Sequence, residues 1–407
     1  MEPTVTQPTP EGAFGLWLGV GVLAWWFGWL SYARMRFPLE DGVVVTAALT
    51  AMSCLAGGLA LGRLFAAGSA SSNTDAEPAS ASRIPEFVLG ATLVIQLVLL
   101  ARNLPVYTQF DDFRDTLYND PTVLFGGTYL FVIYMEILRA LCIWAAIKIV
   151  TRQPGATAAS LWLLGAQAVG DSLTTLGRFP LYYLLFFLLI AIGLRHGVRR
   201  LALASVTVAT AAAVLVLAVG ILLARSGIDL AGIERETLIT LFQRNVVDYH
   251  VVGFAYMDEL VRAQFYQIGS EFPHMTLAWF DYVAAVSLGK ANLIYDYPWE
   301  AINTQITNGL SIWGWGPVNA FATNLYPLYL DGGMLLIGGV HLGLGLALGS
   351  ARRRSPGLAL GVLIAFALVF GIFQPYLNMG LFWLPCLVLV AERFRALIVA
   401  PSAPVPA

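Results

Sequence analysis

Residues 43–65 read VVVTAALTAMSCLAGGLALGRLF, and this stretch indicates the class of fold. Arg63 is its only charged residue, and its length meets the roughly 20 residues that an α-helix needs to cross a lipid bilayer. Backbone groups in hydrocarbon must be hydrogen-bonded within the protein, and an α-helix achieves this within one segment. The stretch therefore predicts a membrane-spanning helix.

Similar apolar stretches recur along the 407-residue chain, which is 58% hydrophobic and 12% charged. A soluble domain carries about a quarter charged residues, so the composition excludes an ordinary water-soluble enzyme. We expect an all-α, polytopic membrane protein with about ten transmembrane helices. The predicted spans are Phe14–Leu30, Val43–Phe65, Phe87–Leu100, Phe125–Val150, Ala158–Leu176, Leu181–Leu194, Leu201–Leu223, Met334–Leu348, Leu358–Phe373 and Leu381–Val390.

The polar residues between these spans divide the chain into three parts. Residues 1–224 hold spans one to seven with short loops and an external segment near 102–121. Residues 225–331 form one large external loop, rich in aromatic and charged residues, in which we expect helices. Residues 332–407 hold spans eight to ten and a cytoplasmic C-terminus.

Basic residues of short loops predict the orientation, because Lys and Arg are enriched on the cytoplasmic side. Arg34 and Arg36 are an exception, since they fall on the external side in this scheme. The basic clusters that follow alternate span ends are Lys148 with Arg152, Arg195 with Arg199 and Arg200, Arg352–Arg354, and Arg393 with Arg395.

The net charge of −2 provides no basic field for nucleic acid, so we expect no nucleic-acid partner. The sequence holds no Walker-type loop, no HExxH motif and no Cys/His metal cluster. Cys54, Cys142 and Cys386 lie inside apolar runs and are interpreted as packing residues. We therefore expect no metal and no cofactor.

Ionisable residues within the spans are the first candidates for function, because they are costly there. Glu136 and Arg139 are three apart in one predicted helix and can pair, as a structural ion pair or as part of a site. Asp171 and Arg178 are seven apart and share a face of the next predicted helix. Arg178 lies at its external end, where a guanidinium can bind a phosphate or anchor to lipid headgroups.

The stretch from Arg244 to Glu259 is the densest group of polar residues, and read as one helix it places Asp248 and Glu259 near one face. His250 lies in it beside Asp248 and Tyr249. An imidazole takes up a proton near neutral pH, so His250 is a candidate general base, with a structural histidine as the alternative.

A second polar group precedes the span that begins at Met334. Asn319 and Asp331 can hydrogen-bond sugar hydroxyls. Hydrogen bonding to the local backbone is the alternative for both residues, and for Asp331 this means a role in a turn or a helix cap.

Three short motifs, in this order along the chain, resemble those of the Wzy-type O-antigen polymerases, the oligosaccharide repeat-unit polymerases. The motifs are Gly177-Arg178 before a span, the Arg244…Tyr249-His250-Val-Val-Gly253-Phe254 stretch, and Asn319-Ala-Phe321…Leu330-Asp331-Gly332-Gly333. The family often has Phe where Gly332 stands. Span number and the position of the large loop also fit the family.

The resemblance implies a metal-independent membrane glycosyltransferase in the bacterial inner membrane, with loop 225–331 and the active site in the periplasm. It would transfer a growing chain to a new undecaprenyl-diphosphate-linked oligosaccharide in the synthesis of O-antigen or a related surface polysaccharide. The lipid bilayer and a chain-length regulator are further expected partners. The expected site residues are Arg178 and Arg244 at the diphosphate, His250 with Arg244 in catalysis, and Tyr249, Asp248, Asn319 and Asp331 at the substrate.

Two alternative functions stay open. An O-antigen ligase, which joins the finished polysaccharide to lipid A core, shares a large external loop and Arg/His chemistry with the polymerases. A polysaccharide or lipid transporter without glycosyl-transfer activity would instead use Glu136, Arg139 and Asp171 to line a passage. Such a transporter scarcely needs a loop as long as residues 225–331.

Overall fold

Helices and their connections make up the whole of the chain that the computed structural model describes. The all-α prediction is therefore confirmed for these residues. They are 14–39, 42–68, 82–107, 121–152, 155–197, 235–243, 247–262, 267–269, 272–287, 323–352 and 357–399.

The α-helices, numbered along the described residues, are α1 (Phe14–Arg36), α2 (Val43–Gly68), α3 (Ile84–Tyr107), α4 (Pro121–Phe125), α5 (Thr128–Val132), α6 (Arg139–Val150), α7 (Ala158–Thr175), α8 (Phe179–His196), α9 (Arg235–Phe242), α10 (Val252–Arg262), α11 (Ala278–Ser287), α12 (Leu325–Ser350), α13 (Leu358–Phe370) and α14 (Gly380–Val399). A π-helix, Ile133–Leu138, joins α5 to α6. Short 3₁₀-helices cover Asp248–His250 and Tyr376–Asn378.

Six helical stretches in the described residues are long and apolar enough to cross a membrane, and α13 is apolar but shorter. The described chain is therefore that of a multi-pass membrane protein. The predicted span 201–223 lies outside the described residues, so the count of about ten spans stays a prediction. The six are Phe14–Arg36, Val43–Ala67, Ile84–Pro105, Tyr129–Val150, Phe179–His196 and Leu325–Ser350.

Glycines bring α2 and α12 into backbone contact. A Cβ at Gly58 would overlap the carbonyl oxygen of Leu342, and one at Gly345 would overlap that of Leu55. Gly62 and Gly349 repeat this arrangement one turn further along their helices. Small residues at such positions let membrane helices approach closely, and packing between them replaces the hydrophobic effect that lipid cannot supply.

Two tryptophans attach α1 to the last turn of α13. The indole nitrogens of Trp25 and Trp26 donate to the carbonyl oxygens of Val369 and Leu368, at 2.9 and 2.7 Å. Carbonyl groups in the last turn of a helix have no partner within that helix, so these indoles satisfy them. The first helix of the chain is thereby fixed to its C-terminal part.

α12 begins at Leu325 and consists of two helical parts, and the second part begins at Met334, where the sequence predicted the start of the span. The helix bends at Gly332 and Gly333, and Gly333 has a φ of 60°. Glycine adopts this left-handed conformation without strain, so the bend falls where no Cβ opposes it. The last residues of the predicted large loop, Leu325–Asp331, are therefore helical, and the boundary of the loop at residue 331 stays a prediction.

Two predictions about charged residues on single helices are wrong: the ion pair of Glu136 with Arg139, and the shared helix face of Asp171 and Arg178. Arg139 donates from Nε to Asp171 on α7, at 3.0 Å, rather than to Glu136. The π-helix around Glu136 widens the turn, so residues three apart no longer align as they would on an α-helix. Asp171 and Arg178 share no helix, because α7 ends at Thr175 and Leu176 is left-handed with a φ of 46°.

Candidate functional site

Part of the predicted external loop is buried against the membrane helices. Phe254, Ala255, Tyr256 and Met257 of α10 are fully buried and belong to the main hydrophobic core. α10 packs against α1 and α2, and the 3₁₀-helix Asp248–His250 packs against α1. In the described part of the stretch predicted as one helix, a 3₁₀-turn is followed by α10, and this turn carries His250.

Side chains of α1 hold Asp248 in place. Tyr32 donates from its hydroxyl to one carboxylate oxygen at 2.7 Å, and Arg36 donates from Nε to the other at 3.0 Å. Asp248 is fully buried, whereas the Arg36 side chain is 41% exposed. This ion pair explains why Arg36 lies beside the predicted external loop, although Lys and Arg are usually enriched on the cytoplasmic side. It also gives Asp248 a structural role, and its predicted substrate contact stays a prediction.

Aromatic rings surround His250 on three sides. Trp29 of α1 stacks on the imidazole, with ring centroids 5.7 Å apart and planes 23° from parallel. Tyr182 of α8 and Phe373 meet it edge-on, at 5.4 and 4.6 Å between centroids. Three separate parts of the chain therefore fix the plane of the imidazole, and His250 is buried among them.

Arg178 lies at the N-terminal cap of α8, beside His250's neighbour Tyr249. Its guanidinium carbon is 4.4 Å from the centre of the Tyr249 ring, in a cation–π contact. Arg178 is only 7% exposed, and its Nη1 has no hydrogen-bond partner among the described residues. The same holds for the hydroxyl of Tyr182. Buried donors without partners are rare in proteins and call for an acceptor.

The name "Arg178 site" is used below for Arg178, Tyr182, Tyr249 and His250, together with Trp29 and Phe373 that flank the imidazole. The sequence predicted Arg178, Tyr249 and His250 as site residues, and the fold brings these three together. It did not predict Trp29, Tyr182 or Phe373. The only signal on α1 is the spacing of Trp29, Tyr32 and Arg36, which places them along one helical face.

Asp331 acts as an anchor for the segment before α11. Its carboxylate accepts hydrogen bonds from the backbone N–H groups of Met275 and Thr276, at 3.2 and 2.6 Å. The N–H of Gly269 adds a bond to the Leu330 carbonyl at 2.7 Å. Asp331 thus joins segments that are 55 and 56 residues apart in sequence, which differs from the helix capping that was the alternative to substrate binding. Its predicted role at the substrate stays a prediction.

Arg244 and Asn319 lie outside the described residues, so their predicted contacts also stay predictions. Among the residues that the structure does describe, no group of His, Cys, Asp and Glu is arranged to hold a metal ion. Cys54, Cys142 and Cys386 are free thiols.

The Arg178 site thus holds a buried cation that is stacked on tyrosine and has an N–H without a partner in the described part of the chain. A histidine fixed by aromatic rings lies next to it. Such a site is suited to an anion that carries several oxygen acceptors. Comparison with known proteins gives no further guide, because no family model, curated protein or solved structure matches this chain.

Proposed function

We propose that the chain is an inner-membrane glycosyltransferase that polymerises undecaprenyl-diphosphate-linked repeat units on the periplasmic face. The observation that carries the proposal is the buried Arg178 guanidinium, whose Nη1 has no partner among the described residues. A diphosphate supplies oxygens in the geometry that a guanidinium binds bidentately, and the cation stays charged at every working pH. His250 lies on the same turn as Tyr249, which Arg178 contacts.

In the proposed reaction the growing chain leaves its undecaprenyl diphosphate and joins the incoming repeat unit. A hydroxyl oxygen of the incoming unit forms a bond to the anomeric carbon of the chain. The bond from that carbon to the diphosphate oxygen breaks, and undecaprenyl diphosphate leaves with the electron pair. His250 accepts the hydroxyl proton, and Arg178 stabilises the charge on the leaving group, with Arg244 as the proposed second cation.

Single substitutions test this assignment in cells. We expect Arg178→Ala and His250→Ala each to lower polymer formation by about a hundredfold or more, since one such electrostatic or acid–base contact commonly contributes that much. The readout is the length distribution of the lipopolysaccharide ladder, with protein amount measured in the same membranes. Exposed residues of the same types supply the matched controls Arg393→Ala and His196→Ala. Normal ladders from both site variants would overturn the proposal.

A transporter is the second candidate, and one observation favours it. Arg139 and Asp171 line a cavity of about 20 Å³ together with Gln167, which is room for about one water molecule. Ionisable residues at a cavity within membrane spans are typical of transport pathways. In this protein, however, the hydroxyl of Tyr134 also donates to Asp171 at 2.9 Å. The ion pair of Arg139 with Asp171 is therefore already hydrogen-bonded within the protein.

Purified full-length protein with lipid-linked repeat units separates the candidate functions. A polymerase forms glycosidic bonds between repeat units. A ligase forms polymer attached to lipid A core only when that acceptor is present. A transporter forms no glycosidic bond and moves the lipid-linked unit across a vesicle membrane.

A further inference from the structure

The tryptophan that stacks on His250 presents the face of its ring to the imidazole. The planes of Trp29 and His250 are 23° from parallel, and the ring centroids are 5.7 Å apart. The face of an aromatic ring is partially negative, so it attracts a cation within about 6 Å of its centre, and an indole does so most strongly. This contact therefore favours the protonated imidazole over the neutral one.

Other side chains of α1 hold the indole of Trp29 in this orientation. Trp25 and Tyr32 meet it edge-on, with ring centroids 5.3 and 6.1 Å away. Trp25 is itself bonded to the Val369 carbonyl, and Tyr32 donates to Asp248. The face of Trp29 that stacks on the imidazole is thus oriented by rings that are bonded to other parts of the chain.

The charged groups of this region leave the imidazolium in need of such a contact. The carboxylate of Asp248 already accepts hydrogen bonds from Tyr32 and Arg36. Arg178 on the α8 side is a cation, and it disfavours a second cation nearby until an anion compensates its charge. Besides His250, the titratable and charged side chains in the Arg178 site and its supporting contacts are Tyr32 and Arg36 of α1, Asp248 and Tyr249 of the turn, and Arg178 and Tyr182 at α8.

We propose that Trp29 is a positioning residue, which acts through His250 and stabilises the imidazolium formed during glycosyl transfer. In the proposed reaction the proton of the incoming hydroxyl passes to His250, so the imidazole becomes a cation while the glycosidic bond forms. An indole face that is already oriented stabilises this cation as it develops. This inference rests on the proposed function, in which His250 is the base.

Fluorinated tryptophans at position 29 test the electrostatic role with little change in shape. Each fluorine withdraws electron density from the face of the indole and weakens its attraction for a cation. We expect purified full-length protein in lipid nanodiscs to form polymer more slowly with one, two and three fluorines in turn, by roughly three- to thirtyfold in total. The substrate is the lipid-linked repeat unit extracted from the source organism. The same series at Trp162, which is 80% exposed, is the control.

The pH dependence of the rate separates this role from a structural one. Without the indole face, His250 in a Trp29→Leu variant should lose its proton at a lower pH. The acid limb of the pH–rate profile should therefore move to lower pH by about half a unit to one unit, while the maximal rate falls because the base is weaker. Trp29→Phe keeps an aromatic face and should show a smaller shift.

The outcomes distinguish this inference from the proposed function. Equal rates across the fluorotryptophan series, with His250→Ala inactive, would overturn the role of Trp29 and leave the proposed function in place. A slower Trp29→Leu protein with an unchanged acid limb would overturn it too, since a structural defect lowers the rate at every pH. Full activity of His250→Ala, or no polymer formation by the wild-type protein, would overturn the proposed function and this inference with it.

Discussion

At the scale of single residues, several buried polar groups are paired with partners that are distant in sequence. Asp248 is fully buried and its two oxygens are bound by Tyr32 and Arg36 of α1. Breaking such an arrangement leaves buried groups without partners, which costs more than the bond itself contributes. Asp248 is thus a positioning residue, because its bonds to α1 fix the turn that carries His250.

We expect Asp248→Ala to lower the free energy of unfolding by about 1–3 kcal/mol, because it leaves the Tyr32 hydroxyl and Arg36 without their acceptor. Arg36→Ala should cost less than about 1 kcal/mol, since its side chain is 41% exposed and exposed ion pairs contribute little to stability. Arg34→Ala, on the exposed face of the same helix turn, is the control. Thermal unfolding in detergent measures all three. An Asp248→Ala protein as stable as wild type would contradict the structural role.

At the scale of elements, the sequence predicted helices well and their bends poorly. Hydropathy identified every described span, because apolar length is the physical requirement for crossing a bilayer. It could not predict the π-helix at Glu136 or the continuation of α12 back to Leu325, since these depend on neighbouring helices. For the same reason the sequence predicted Arg178 and His250 but not the rings of Trp29 and Phe373 that enclose the imidazole.

The contact between α2 and α12 provides a test with adjacent residues. Gly58→Ala should destabilise the protein by about 1–3 kcal/mol, because the new Cβ overlaps the Leu342 carbonyl oxygen and the helices must separate. Gly57→Ala places its Cβ 3.9 Å from the Leu342 side chain, an ordinary contact. Its higher helix propensity should leave stability equal or raised. The measurement is the melting temperature of each variant in the same detergent. Equal melting temperatures for Gly58→Ala and Gly57→Ala would contradict the close packing of α2 on α12.

At the scale of the whole molecule, the Arg178 site is assembled from parts that span most of the chain. Trp29 comes from the first helix, Arg178 from the start of α8, His250 from the predicted loop and Phe373 from the connection between α13 and α14. No pair of adjacent helices contains the site. Truncated or split proteins should therefore lack it even where their helices insert correctly.

The charge distribution predicts the orientation of this assembly, and labelling tests it. In a protein whose native cysteines are replaced by serine, Met35→Cys should react with a membrane-impermeant maleimide in intact spheroplasts. His196→Cys lies at the end of α8 that is predicted to face the cytoplasm, so it should react only after permeabilisation. Arg34 and Arg36 oppose the usual bias, and the bond from Arg36 to Asp248 compensates for one of them. The reverse labelling pattern would invert the predicted topology.

The indole bonds from Trp25 and Trp26 to the end of α13 have a consequence for synthesis. Their acceptors lie 344 and 342 residues later in the chain, so α1 must enter the bilayer long before its partners are translated. At about 5–20 residues per second, the ribosome needs on the order of tens of seconds to complete that interval. During this time α1 lies in the membrane while the two indole N–H groups lack these carbonyl acceptors. Maturation of the protein is therefore a late, post-insertion event, completed only when α13 has docked on α1.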